Sequence, residues 1–217
     1  MYLPRHNHAD PRQTRELLQG IRAADLITPT ADGLFATFLP LIYEAPAGDA
    51  DELGSLLGHV ARRNEHWQLR PSGESLVIVH GPDAYITPSW YASKRAHGRV
   101  VPTWDYLIAH IHGELRIHDD AAWVERLVRR LTDRHEAPRA HPWAVDDAPR
   151  SYIDGQLRAI VGVELRISRI EAKAKLSQNY SLADRQGTVA GLRTDGHDAI
   201  ADQLARGLPD AVPSSEP

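Results

Sequence analysis

Residues 160 to 176 read IVGVELRISRIEAKAKL, and the placement of their apolar side chains decides the fold. Val161, Val163, Leu165 and Ile167 alternate on odd positions, as a strand buried on one face requires. Ile170, Ala172, Ala174 and Leu176 continue the alternation on even positions. The apolar face therefore changes phase near Ser168-Arg169, and a one-residue β-bulge is the economical explanation. A long strand bent in this way suits a small barrel. Residues 106 to 118 supply a second long strand, with Leu107, Ala109, Ile111, Leu115 and Ile117 on one side. His110, His112, Glu114, Arg116 and His118 occupy the other.

Outward from these strands the chain reads as follows. Asp10-Pro11 is a helix start, and Leu17, Leu18, Ile21 and Ala24 give a helical stripe over about 11 to 24. Asp32-Gly33 is a turn between the apolar runs Leu26–Thr30 and Leu34–Tyr43, which predicts a β-hairpin. Pro40 within the second run argues for an edge position or a bulge. After the small-residue, acidic turn at Ala45 to Asp51, the spacing of Leu53, Leu56, Leu57, Val60 and Ala61 predicts a helix to Trp67. A strand from Glu74 to His80, a turn at Gly81-Pro82 and a second strand from Ala84 to Thr87 follow. A helix begins near Asp119-Asp120, with Trp123, Leu127 and Leu131 on one face and arginines around the rest. A short helix near Tyr152 to Ile160 precedes the long strand. The tail past Gly187 carries a helical stretch at about Asp195 to Arg206 and ends in a PSSEP segment expected to be disordered. Helices that do not recur with βαβ spacing favour an antiparallel barrel with helices outside, a mainly β form of the α+β class. The chain divides into a main domain over 1–186 and a C-terminal helical segment over 187–217.

The composition bounds what the protein can do. Its 217 residues suffice for one large domain, and 42% hydrophobic with 25% charged residues is ordinary for a soluble globular chain. No apolar run approaches the roughly 20 residues of a membrane span. The N-terminus MYLPRHNHADPRQTRE lacks the apolar centre of a signal peptide, so a cytoplasmic protein is expected. The absence of cysteine removes disulfides, thiolate catalysis and cysteine-bound metal clusters. A net charge of −4 is not the basic balance that phosphate neutralisation on DNA favours.

Four groups of residues invite chemistry. The stretch GPDAYITPSWYASKRAHGRVVPTWDY, Gly81 to Tyr106, holds Tyr85, Trp90, Tyr91, Trp104 and Tyr106 with Lys94, one of three lysines in the chain. Three prolines stiffen it, so it reads as a recognition surface or as an aromatic plug at one end of a barrel. His59, Arg62 and Arg63 fall within one helical turn, where a guanidinium beside an imidazole can hold a phosphate; a solvated helix face is the plainer reading. His110-x-His112 with Glu114 offers metal-ligand types, but i, i+2 and i+4 on a strand span too far for one ion, and His6-x-His8 is weaker still. Lys175-Leu176-Ser177-Gln178-Asn179 closes the long strand with a cation, a hydroxyl and two amides, which suit the edge of a heterocycle or simply a turn. No nucleophile elbow, Walker loop, dinucleotide-binding glycine motif or helix-turn-helix pair occurs.

Together these segments resemble the PaiB family of FMN-binding split-barrel proteins, often described as negative transcriptional regulators. The resemblance rests on Met1-Tyr2-Leu3-Pro4-Arg5-His6, Ala36-Thr37-Phe38-Leu39-Pro40 and Gly58-His59-Val60-Ala61-Arg62-Arg63-Asn64 with Trp67. It continues through Gly81-Pro82, Tyr85-Ile86, Pro88-Ser89-Trp90-Tyr91 and Lys94 to Val101-Pro102-Thr103-Trp104 and Lys175-Leu176-Ser177-Gln178-Asn179. These blocks keep the family's order over nearly the whole chain. Three positions depart from the family pattern: Asn7 for phenylalanine, Phe38 for histidine and Asp105 for asparagine. Phe38 makes the expected cofactor pocket more apolar, and Asp105 places a carboxylate where it would oppose an anionic reduced flavin.

The resemblance implies a split antiparallel β-barrel of the FMN-binding type with peripheral helices, working as a homodimer with FMN in a cleft between subunits. It makes Thr37, His59, Arg62, Ser89 and Lys94 candidates for the phosphate. Tyr91, Thr103 and Trp104 would flank the ring, and Gln178 and Asn179 would reach it from the partner chain. A regulator or sensor of this kind is one expectation, acting on DNA or, as the acidic charge favours, indirectly through a regulatory protein. A flavin-dependent oxidoreductase acting on a small molecule is the alternative, on fold analogy. A third reading repurposes the cleft for haem, ligated by one of the histidines.

Overall fold

A computed structural model describes residues 1–46, 48 and 53–209. Its six strands are β1 (Ala23–Thr30), β2 (Gly33–Glu44), β3 (Ser55–Ala61), β4 (Ser75–Ile86), β5 (Thr103–His118) and β6 (Ile160–Lys175). The helices are α1 (Pro11–Gly20), α2 (Ala92–His97), α3 (Ala121–Glu136), α4 (Arg150–Arg158), α5 (Leu182–Thr194) and α6 (Asp198–Ala205). The strands are hydrogen-bonded in the order β1-β2-β3-β6-β5-β4 and the ring closes, so this is the antiparallel barrel with peripheral helices that the strand patterns predict. By contacts the chain falls into two compact units that interleave along the sequence. Among the described residues, one holds 1–14, 80–108 and those from Ala172 onward; the other holds those of 15–79 and 109–171. The boundary expected at 186/187 falls inside α5.

In the larger unit the hairpin forms as its turn residues require. β1 and β2 pair from Thr30↔Gly33 to Ala23↔Pro40, and Gly33 takes a φ of 120° that a side chain would strain. Pro40 stands where β2 leaves β1 and takes up β3 at Leu41↔Gly58, so its missing N–H interrupts neither ladder. The helix expected over 51–67 is a strand in its described part, β3, followed by a 3₁₀ turn at Glu65–Gln68; residues 51 and 52 lie outside the described residues. Its leucines mimic helical spacing because both faces are buried, Leu56 and Val60 on one and Leu57 on the other. Leu57 and Ile42 pack on Leu127 and Leu131 of α3. Asp120 caps α3 by accepting the N–H groups of Ala122 and Trp123 at 2.7 and 3.0 Å. Trp123 lies flat on His118, with ring centroids 4.0 Å apart, in a recess that exists because residue 162 is glycine: a Cβ there would come within 2.2 Å of the indole.

In the smaller unit α5 and α6 bury Leu192, Ile200, Ala201 and Leu204 against each other's side of the turn at Gly196. Gly187 and Gly191, one helical turn apart, form a second recess, this one for Trp90, whose ring would lie 2.3 Å from a Cβ on residue 191. Asp184 ties the same helix to α2, accepting the Ser93 N–H at 2.8 Å and the Ser93 hydroxyl at 2.5 Å. β4 runs straight through Gly81-Pro82, where the sequence predicts a turn. Its register with β1 covers only Leu76 to Ile78, so at Pro82 no ladder on that side needs an N–H. In β6 the buried apolar side chains stand at odd positions up to Ile167 and at even positions from Ala172, as the opening pattern requires, while Gly162 and Lys173 are buried out of phase with them. The helix predicted to reach residue 24 stops at Gly20, and Ala24 is a buried strand residue; α5 has no counterpart in the sequence reading.

Candidate functional site

Seven of the ten expected site residues belong to the smaller unit. A 3₁₀ turn at Pro88–Trp90, begun by Thr87 accepting the Ser89 N–H at 3.2 Å, passes directly into α2. That path brings two exposed side chains together, and Lys94 Nζ donates to Ser89 Oγ at 3.0 Å. An ammonium with three donors beside a hydroxyl is a fitting partner for a phosphate. Trp104 and Tyr85 each leave 50% of their surface exposed and meet edge to face at 6.2 Å. Asp83 fixes the indole by accepting its Nε1–H at 3.0 Å. Lys175 holds the same strand end, donating to Thr103 Oγ1 and to the Trp104 carbonyl.

Tyr91, expected beside a ring ligand, is fully buried, packed at 4.9 Å on Tyr180. Burial first, and Tyr180 second, push its hydroxyl pKa up. Asp105 turns into the core on the face opposite Trp104. It is 0% exposed, accepts Ser177 Oγ at 2.6 Å on one oxygen, and lies 3.9 Å from Lys175 Nζ with the other. Burial raises its pKa against the opposing pull of Ser177 and Lys175. Asp105, whose carboxylate was expected to oppose an anionic reduced flavin, is here a core side chain bonded to Ser177. Ser177 adopts a left-handed φ of 54°, which aims its hydroxyl at this carboxyl group. The Gln178 amide is consumed locally: Oε1 accepts Leu176 N–H at 2.7 Å and Nε2 donates to His6 O at 3.0 Å. Asn179 is exposed.

The other three expected residues belong to the larger unit and do not converge there. Arg62 is held bidentately by Asp119 at 2.5 and 3.0 Å and donates to the carbonyls of Arg158 and Ile160. His59 faces a shallow cavity of about 470 Å³ with Leu131, His135 and Trp143, and burial lowers its pKa. Thr37 joins a network that sequence reasoning missed. Its hydroxyl meets His66 Nδ1 at 2.8 Å and accepts Asn64 Nδ2–H at 3.2 Å, while His66 Nε2 meets Thr28 Oγ1 at 2.8 Å and Thr28 meets Ser75 at 2.7 Å. His66 is 1% exposed, and desolvation lowers its pKa to about 4. A cavity of about 610 Å³ in this unit, bordered by Glu44, Arg116, Glu164 and Arg166, includes none of the ten.

Tyr85 and Lys175 were outside the expected set. Strand parity carries the signal for Tyr85, because Asp83 and Tyr85 alternate onto the exposed face of β4. Lys175 gives no such signal, since its contacts are made 71 and 72 residues away.

Residues 1–169 match the family model described as "Putative FMN-binding domain". The chain is 31% identical to "Uncharacterized protein AN0679" of Emericella nidulans over 83% of each chain. It is 27% identical to "Protease synthase and sporulation protein PAI 2" of Bacillus subtilis over 98% of each. Among solved structures, the flavocytochrome Anf3 from Azotobacter vinelandii superposes with a TM-score of 0.52 at 13% identity, over 79% of this chain and 72% of that one, a likeness of fold.

Proposed function

This chain belongs to the PaiB family of FMN-binding-domain proteins, with FMN as its cofactor, and from that premise we propose that it is a flavin-binding regulator or sensor acting as a homodimer. The observation that carries the reading is the donor set of the smaller unit. A hydroxyl–ammonium pair, Ser89 and Lys94, stands in the same unit as a half-exposed aromatic pair, Tyr85 and Trp104. A dianionic phosphate and a flat conjugated ring need those two kinds of surface. Lys94 and Ser89 would hold the phosphate; Trp104, Tyr85 and Thr103 would line the ring, with Asn179 reaching it from a partner. Bound FMN supplies electron-transfer chemistry, while the side chains supply binding and orientation. Thr37, Arg62 and Gln178 already spend their polar groups within their own unit, which favours the smaller set.

A second copy is supported by the larger unit. Leu34, Ala36, Phe38 and Pro40 share one exposed face of β2; Ile27 of β1 and Leu76 and Ile78 of β4, all partly exposed, lie on the neighbouring strands in register. Leu34 is 78% and Phe38 70% exposed. An apolar face of this extent on a closed sheet marks an interaction surface.

Regulation by contact with a protein fits better than direct DNA binding. Three of the four arginines of α3 that would make a basic face are engaged: Arg129 with Glu125 and Asp146, Arg130 with Glu44, and Arg134 with the carbonyls of Gln19 and Ile21. The deciding experiment titrates FMN into purified protein and follows flavin absorbance and fluorescence. A stoichiometric complex is expected, weakened by roughly 10- to 100-fold in Lys94→Ala, the cost of one charge-assisted contact. A folded protein that takes up no FMN overturns the reading. Stable flavin absorbance on adding a nicotinamide cofactor is expected of a sensor; rapid bleaching would point to the oxidoreductase.

A further inference from the structure

We propose, on the footing of the FMN reading, that Asp105 is a redox-linked proton site: its carboxylate takes up a proton when flavin bound at the Thr103–Trp104 strand end is reduced. All the side chains involved belong to the smaller unit. Asp105 is 0% exposed. One of its oxygens accepts the Ser177 hydroxyl at 2.6 Å, and the other, Oδ1, has no hydrogen-bond partner among the described residues. Lys175 Nζ stands 3.9 Å from Oδ1, close enough for charge attraction and too far for a hydrogen bond. Its donors go instead to Thr103 Oγ1 and the Trp104 carbonyl. Several donors are needed to hold a buried carboxylate firmly ionised, and this one has a single hydroxyl and an ammonium beyond bonding distance. Burial favours the neutral acid, while Ser177 and Lys175 favour the ion. A group pulled both ways in this manner is suited to exchanging a proton.

Lys175 connects this acid to the surface assigned to FMN. Its side chain is 30% exposed and bonds the strand end from which Trp104 projects. With Asp105 ionised, the two charges cancel. With Asp105 protonated, the ammonium keeps only neutral partners, Thr103 and the Trp104 carbonyl. A net cation behind that surface favours the electron-rich state of the flavin. By linkage, the reduced state favours protonated Asp105 to the same extent. Two electrons from an external donor and one proton from solvent enter the flavin, and a second proton from solvent ends on the Asp105 carboxylate. Tyr91 is the other titratable side chain that feels Asp105; buried at the head of α2, it is kept neutral by that burial first of all.

The test has two parts. In the flavin-free full chain, the infrared band of a protonated carboxyl group is followed against pH in the wild type and in Asp105→Asn. A titrating band that the substitution removes is expected. In the FMN-loaded protein, the flavin midpoint potential is measured against pH with dithionite and a reference dye. Above the infrared transition, Asp105→Asn should favour reduction by about tenfold, which for two electrons is a midpoint about 30 mV higher. Below the transition the two midpoints should coincide. Ser177→Ala keeps the acid and removes the donor that stabilises its ion, so both transitions should move to higher pH. It also guards against an Asp105 variant that fails to fold. Absence of a titrating band that the substitution removes overturns the proposal. Midpoints that agree at every pH in loaded protein overturn the coupling alone, whereas a chain that takes up no FMN overturns the flavin reading and the coupling with it.

Discussion

His66 shows how one side chain can set a pH limit on the fold. A tautomer with its proton on Nε2 lets the ring donate to Thr28 and accept from Thr37, whose oxygen receives Asn64. A second proton would turn Nδ1 into a donor facing the Thr37 hydroxyl that now donates to it, and the ring, 1% exposed, would carry its charge away from solvent. Its pKa of about 4 lies below the ordinary 6.5, so the unfolded chain takes up the proton first as the medium is acidified. The contribution is therefore fully present above pH 6.5 and is lost as pH falls toward 4, on the order of 3 kcal/mol over that window. Denaturant unfolding of the wild type and of His66→Asn at several pH values should show this slope in the first and its absence in the second. A parallel pair of curves would refute it. Neither His66 nor Arg62 was readable as to role from the sequence. Both are defined by partners far along the chain, Thr28 38 residues back and Asp119 57 residues on. Lys94 and Ser89 were readable because their turn and helix are written locally in Pro88 and the residues around it.

At the scale of elements, two tryptophans dock into recesses made by glycines. Trp90 against Gly187 and Gly191 of α5 fixes the turn that carries Ser89. Gly191→Ala should overpack this contact and destabilise the fold by about 1–3 kcal/mol, because its Cβ would fall 2.3 Å from the ring. Adding Trp90→Leu in the same chain should recover much of the loss; thermal unfolding of the single and double variants measures the coupling. No recovery would mean that the indole is not what the helix rests on. The hairpin was legible because Asp32-Gly33 marks its turn. β3 was not, because a short strand buried on both faces carries apolar residues at spacings that a helix also uses. α5 escaped notice for the opposite reason: its two inward glycines erase the apolar stripe by which a helix is recognised.

For the whole molecule, the exposed face of β1, β2 and β4 predicts assembly. Phe38→Asp, on a side chain 70% exposed, should leave the monomer folded and convert a dimer into monomers in sedimentation or light scattering. A wild type that is already monomeric at tens of micromolar would remove the dimer. The net charge of −4 and the engaged arginines of α3 predict no DNA affinity above non-specific levels at physiological salt, measured by a salt-dependent shift assay. The closed barrel itself was foreseeable from two long alternating strands, whereas the interleaving of its two compact units was not, since no composition change marks where the chain passes between them. The ion pairs have one more consequence, which concerns heat. Glu125 joins Arg129 and Arg150, and these reach on to Asp146 and Asp154, a continuous chain of charge that fastens α4 to α3. The hydration that competes with such contacts weakens on warming. Amide hydrogens of α3 and α4 should therefore outlast those of α1 as the temperature approaches melting.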